Sequence, residues 1–152
     1  MQDIEQPLII RLLRPADLPL FDRVADGVFD HAIDRRLASE FLADPRHHMV
    51  VALRGDEVVG MASAVHYLHP DKPPELWVNE IGVAPMHRSQ GIGKRLLLAL
   101  FAHGRTLGCR EAWLGTEATN HAARCLYAAT GGMEAPMVYV TFELHAGGKT
   151  GA

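Results

Sequence analysis

The sequence predicts a mixed α/β fold with a central sheet flanked by helices. Three observations predict it. Short apolar runs with strand-like composition recur along the whole chain, and stretches with helical periodicity interrupt them. The two late helical stretches each follow a strand, as in β-α units, and this excludes an all-helical or all-β architecture. With 152 residues and 48% hydrophobic content, the chain is long enough to bury a real core.

Leu8 to Leu13 reads as the first strand. Pro15-Ala16-Asp17 opens a helix, because proline suits a first helical position, and Leu18, Phe21, Val24 and Val28 follow near helical spacing. A second short helix covers Arg35 to Leu42 and stops before Asp44-Pro45, since the residue before proline avoids the helical region. Met49 to Leu53 and Val58 to Val65 form a hairpin around Arg54-Gly55-Asp56. Three prolines make Leu68 to Pro74 a loop. Leu76 to Val83 is a strand. Gly91 to Leu107 is a helix with Ile92, Leu96, Leu100 and Leu107 on one stripe. Glu111 to Leu114 is a strand, Asn120 to Ala129 a helix stopped by Gly131-Gly132, and Val138 to Leu144 a last strand. The order is β-α-α-β-β-β-α-β-α-β. Residues 1–145 are expected as one domain and 146–152 as a disordered tail.

Composition narrows the function. Net charge is −3 with no long basic tract, so nucleic acid is a poor partner. No run of 18 apolar residues offers a membrane span. The N-terminal Met1-Gln2-Asp3-Ile4-Glu5 lacks a signal peptide's basic and apolar regions, and a cytoplasmic protein is expected. Cys109 and Cys125 are too few and too far apart for a metal knuckle or disulfide framework, and read as buried free thiols. Among nine histidines, His47 and His48 adjoin and His66 and His69 lie three apart. Neither pair has zinc-like company, so these read as surface or rim groups and no metal is expected.

The chemistry centres on His87-Arg88-Ser89-Gln90-Gly91-Ile92-Gly93-Lys94-Arg95, between a strand and a helix. A glycine loop at a helix N-terminus presents unpaired N–H groups where the helix dipole also favours an anion. Gly91 and Gly93 let the backbone approach that anion, and Arg88, Lys94 and Arg95 add charge. The expected guest is a phosphate or pyrophosphate. The spacing fits neither G-x-x-x-x-G-K-[ST] nor G-x-G-x-x-G, which argues against a P-loop or a Rossmann loop.

Arg88-x-x-Gly91-x-Gly93 resembles the acetyl-CoA pyrophosphate loop of the GNAT superfamily of N-acetyltransferases. The order of elements matches that family as well, over roughly Leu8 to Leu144 and most strongly over Glu75 to Phe142. The resemblance implies acetyl-CoA as acetyl donor, bound by Arg88, Ser89, Gln90, Gly91, Ile92, Gly93 and Lys94, with the Ile81, Gly82 and Val83 backbone pairing along the pantetheine arm. Asn120-His121-Ala122-Ala123-Arg124-Cys125-Leu126-Tyr127 resembles a second acetyl-CoA motif. It implies that Asn120 contacts pantetheine and that Tyr127 protonates the departing thiolate. Seven residues put both on one helical face, roughly 10 Å apart along the axis. Glu80 stands alone as a charge in an apolar strand, and carboxylates are seldom buried unless paired or functional. The resemblance implies a general base there, and partial burial would raise its pKa into the working range. A structural ion pair is the other reading.

Within the superfamily, the chain looks most like the aminoglycoside 3-N-acetyltransferases. Glu75-Leu76-Trp77-Val78-Asn79-Glu80-Ile81-Gly82-Val83, the pyrophosphate loop and Gly115-Thr116-Glu117 support this. It implies a small-molecule amine substrate held by Glu117, with Asn79, Asp30 and Asp34 as further candidates for the substrate rim. The 68–74 loop and the N-terminal third depart from that pattern. Another polyamine, an amino-sugar or a protein or peptide amine therefore stays open as substrate, as does a non-catalytic acyl-CoA-binding module. A homodimer is an expectation from the resemblance.

Overall fold

A computed structural model describes residues 5–145; the tail expected over 146–152 lies outside the described residues. Strand β1 (Leu8–Leu12) is followed by a 3₁₀ segment (Pro15–Asp22), α1 (Arg35–Ala43), β2 (His47–Arg54), β3 (Glu57–Tyr67), β4 (Glu75–Val83), a 3₁₀ turn (Pro85–His87), α2 (Ile92–Thr106), β5 (Ala112–Trp113) and α3 (His121–Ala129). The strands form one sheet in the order β1-β2-β3-β4-β5. The first four pair antiparallel, and β5 joins β4 in parallel.

β2 reads as a nearly unbroken apolar run because both its faces are covered. Val50 and Ala52 join the core under α2, whereas Met49, Val51 and Leu53 join the core under α1 and the 3₁₀ segment. Ile92, Leu96, Leu97 and Leu100 of α2 are at most 1% exposed, and each contributes about 1.5–3 kcal/mol by burial. The expected hairpin forms around Arg54-Gly55-Asp56, with Gly55 at φ 60°. Asp34 caps α1, its carboxylate accepting from the Leu37 N–H at 3.1 Å.

Two expected elements differ. The first helix is a 3₁₀ segment, because Pro19 inside it has no N–H to donate to the preceding turn. The final strand, Val138 to Leu144, is not formed. Residues 133–144 lie in no element and are exposed, and the sheet ends at the two-residue β5. α3 contains no buried residue.

Candidate active site

The site begins in β4. Ala62 and Ala64 of β3 both face the α2 core, and they pair with Ile81 and Val78. Two residues of β4, Asn79 and Glu80, thus stand opposite Ser63 alone, which is a β-bulge. β5 pairs with β4 only at Leu76 and Trp77. From Val78 to Val83 the strand's second edge is therefore open, and its N–H and C=O groups have no ladder partner on that side. Gly82 sits in this stretch because the chain crosses it closely: a Cβ there would lie 2.0 Å from the Val28 carbonyl oxygen.

Beyond β4, the glycine loop opens α2. Gly91 is its N-cap in the left-handed region at φ 77°, and Ser89 shares that region at φ 61°. No side chain caps the helix, so the N–H groups of its first turn have no partner from the helix itself. Arg88, Lys94 and Arg95 are exposed around this end. The Arg88 Nε–H donates to the Val83 carbonyl at 3.1 Å and ties the loop to β4. The glycines play different parts. Gly91 has open space around it and is required for its φ. A Cβ on Gly93 would lie 3.0 Å from Leu126 Cδ2, so Gly93 lets α3 approach α2. Arg54, which sequence reasoning missed, donates from the end of β2 to Gln90 Oε1 at 3.3 Å. No motif marks it, because only the fold brings that strand end to the loop.

α3 brings the second motif to this side of the sheet. The Asn120 side chain accepts from the Ala123 N–H at 3.1 Å, a plain N-cap bond. Tyr127 is half-buried against the α2 core, and burial raises its pKa above the usual phenol value. The phenol is therefore protonated at neutral pH. Cys109 is buried as expected, whereas Cys125 on the outer side of α3 is exposed.

On the opposite face, Phe41, His47, Ser63, Ala64, Val65, Trp77 and Asn79 line a cleft of about 230 Å³. Trp77 stacks on Trp113 with ring planes 3° apart and centroids 5.3 Å apart, and the Trp113 indole N–H donates to the Tyr67 hydroxyl at 2.7 Å. The bulge places Glu80 next to Asn79 in the strand, but Glu80 is not among the residues that line the cleft. Glu80 is exposed, so the burial expected for it is absent. Glu117 and Asp30 are exposed, and Asp34 is occupied as the α1 cap; none of the three lines the cleft. The aromatic lining was not read from sequence, because strand alternation gives no sign of which aromatic residues will face each other across β4 and β5.

Of the four histidines expected at the surface or rim, His48 differs. His48 is 7% exposed and sits between two other rings: its Nε2 lies 2.7 Å from His66 Nδ1 and its Nδ1 lies 2.9 Å from His103 Nε2. Desolvation, with like charge from His103 and His66, lowers the His48 pKa to about 4. His69 bonds Glu75 at 2.5 Å.

The family model for the acetyltransferase (GNAT) family matches residues 13–132. The N-alpha-acetyltransferase RimI of Mycobacterium tuberculosis is 38% identical over 92 residues, covering 59% of this chain and 54% of that protein. An uncharacterized protein of Mycobacterium leprae is 30% identical over 133 residues, covering 83% of this chain and 34% of that one. The chain thus spans about half the length of RimI and a third of the other protein. Among solved structures, an aminoglycoside acetyltransferase from an uncultured soil metagenomic sample, in complex with sisomicin, superposes with TM-score 0.81. It is 21% identical and covers 91% of this chain and 97% of its own. The aminoglycoside acetyltransferase AAC(6′)-Iy, in complex with a CoA bisubstrate analogue, superposes with TM-score 0.76 at 22% identity, covering 92% of this chain and 100% of its own. With the glycine loop, the bulged strand and the split between β4 and β5 in one sheet, the chain belongs to the acetyltransferase (GNAT) family.

Proposed function

We propose that this protein transfers an acetyl group from acetyl-CoA directly to a primary amine. The open β4 edge from Val78 to Val83, running toward an uncapped helix N-terminus, is the observation behind the reading. Pantetheine amides pair with that edge through Ile81, Gly82 and Val83, and the pyrophosphate sits at Arg88 to Lys94, where N–H groups and the helix dipole favour an anion. The thioester then lies between the bulge and α3. Glu80, reached by water, takes the ammonium proton and frees the lone pair. The amine attacks the thioester carbon, a β4 backbone N–H at the bulge stabilises the oxyanion, and Tyr127 protonates the thiolate as the carbon–sulfur bond breaks. Neither cysteine forms an acyl-enzyme in this scheme. Acetyl-CoA is an intracellular thioester, so the reading carries a cytoplasmic location with it.

For the acceptor, an aminoglycoside is supported by the fold's likeness to aminoglycoside acetyltransferases, with Glu117, Asn79, Asp30 and Asp34 as its proposed contacts. The 3-N position has no counterpart among those neighbours, since AAC(6′)-Iy is a 6′ enzyme. A second reading, a protein or peptide N-terminal amine, is favoured by the likeness to RimI and by the aromatic and apolar lining of the cleft around Phe41, Val65 and Trp77. Thiol release from acetyl-CoA tests both, with kanamycin-type and gentamicin-type drugs, spermidine and short peptides offered in turn. Release with drugs alone establishes the first reading, and release with peptides alone the second. Acetyl-CoA bound without release to any amine would overturn the enzyme in favour of an acyl-CoA-binding module.

A further inference from the structure

The cleft beside α1 has a chemistry of its own. Its walls are aromatic. Trp77 is 39% exposed and lines the cleft, while its stack on Trp113 and the hydrogen bond from Trp113 to Tyr67 hold it in place. Phe41 of α1 and His47 of β2 supply two more rings, with centroids 5.2 Å apart. A ring fixed in this way loses little freedom when a flat apolar group packs on it.

The polar groups of the cleft are few and neutral. Ser63 is 3% exposed, and Asn79 stands opposite it at the bulge. Among the described residues, neither side chain has a hydrogen-bond partner. None of the lining residues is an acid. Glu75, two residues before Trp77 on the same side of β4, is already engaged by His69 at 2.5 Å and Lys72 at 3.4 Å. A polycation would therefore bring ammonium groups into a space with no carboxylate to pair them, which is costly. Size points the same way. At about 230 Å³ the cleft falls below the ~300 Å³ at which pockets for drug-sized ligands begin. One ring on a short alkyl link suits it better than a chain of amino-sugars.

We infer that the acceptor is a primary amine with an aromatic ring a short alkyl link from its nitrogen and no further positive charge, the ring packing on Trp77 and the nitrogen lying at Ser63 and Asn79. The inference rests on the acetyl-transfer reading and names the class of amine that the reaction uses. Spacing along β4 supports it. Trp77 and Asn79 lie two residues apart on one strand, about 7 Å, and both line the cleft. Asn79 adjoins Glu80, with Cα atoms ~3.8 Å apart. A ring on Trp77 thus leaves its amine one residue from the proposed base. The Ser63 hydroxyl and the Asn79 side-chain carbonyl accept from the ammonium without adding charge, so no fixed carboxylate in the cleft opposes the neutral form that must attack. A free arylalkylamine and a polypeptide whose first residue is aromatic both present this chemistry.

Thiol release from acetyl-CoA by the full chain tests this, with 2-phenylethylamine, a Phe-initial peptide, a Gly-initial peptide, spermidine and kanamycin as acceptors. The expected kcat/KM is about tenfold or more higher for the two phenyl-bearing amines than for the other three. The better of the two tells whether the acceptor is a small molecule or a chain end. Trp77→Leu and Phe41→Ala should each raise KM for that amine about tenfold, more than they lower kcat, and leave acetyl-CoA affinity intact. Trp77 and Trp113 are the two tryptophans of the chain, so their fluorescence reports on this wall alone. The phenyl-bearing amines should change it saturably and kanamycin should not. Release led by kanamycin, spermidine or the Gly-initial peptide, a KM that both variants leave alone, or fluorescence that neither phenyl-bearing amine changes would each overturn the inference while the transferase reading stands. Acetyl-CoA bound with no release to any amine would overturn that reading and this inference with it.

Discussion

Gly82→Ala is the sharpest single probe of the strand that the site depends on. The added Cβ would stand 2.0 Å from the Val28 carbonyl oxygen and 3.0 Å from its carbonyl carbon. Both atoms are backbone, so no side-chain rotation relieves the overlap, and β4 or the Val28 segment must retreat by about 1 Å. Val28 is 3% exposed and packs with Phe21, Met61 and Ala84, so that retreat loosens a filled core. Overpacking of this kind costs 1–3 kcal/mol, and the backbone clash places it near ~3 kcal/mol. For a chain of this length that is a fall in Tm of about 6–12 °C. Urea unfolding followed by the fluorescence of Trp77 and Trp113 measures it. Gly91→Ala is the control, because its Cβ meets nothing within 4 Å and only its φ of 77° is strained, at about 1 kcal/mol. A Gly82→Ala protein within ~0.5 kcal/mol of the natural chain, or more stable than Gly91→Ala, would refute the close crossing.

Acid should destabilise the fold before the carboxylates titrate. The folded His48 pKa of about 4 lies below the ordinary 6.5, so the unfolded chain takes up this proton first and stability falls as pH drops through that window. Burial shifts His103 in the same direction. Between pH 7 and pH 5 the His48 contribution is roughly 2 kcal/mol, and equal unfolding free energies at the two values would contradict it. Tyr127→Phe should lower kcat roughly a hundredfold with acetyl-CoA affinity nearly intact, as seen by stopped-flow and calorimetry; an unchanged kcat removes the phenol from the mechanism. Because burial raises the Tyr127 pKa, its deprotonation should not limit kcat below about pH 10. Glu80→Gln should lose most activity near neutral pH and recover as the amine deprotonates by itself in alkali, whereas a pH-independent loss would mean that Glu80 only binds.

Much of this was legible in the sequence because the signals are local. The hairpin at Arg54-Gly55-Asp56, the α2 stripe and the cap at Asn120 each rest on residues a few positions apart. What was not legible depends on long-range meeting. The bulge at Asn79 and Glu80 appears only against Ser63. The stacking of Trp77 and Trp113 requires β5 to lie beside β4. Pro19 was the missed warning in the first helix, since its absent N–H was written in the sequence. Val138 to Leu144 shows the reverse failure: its alternation has the form of a strand, but no strand is formed there, because local propensity does not supply an edge to pair with.

The chained rings of His48, His66 and His103 have a consequence of their own. Neutral imidazole holds a single ring proton, and each gap between rings accommodates one. If His48 carries its proton on Nδ1, it donates to His103 Nε2 and must accept from His66 Nδ1. If the proton is on Nε2, it donates to His66 Nδ1 and must accept from His103 Nε2. The three tautomers are thus not independent. They form two concerted arrangements that differ in the direction of every bond, so the tautomer of His103 on α2 and that of His66 on β3 are a single variable.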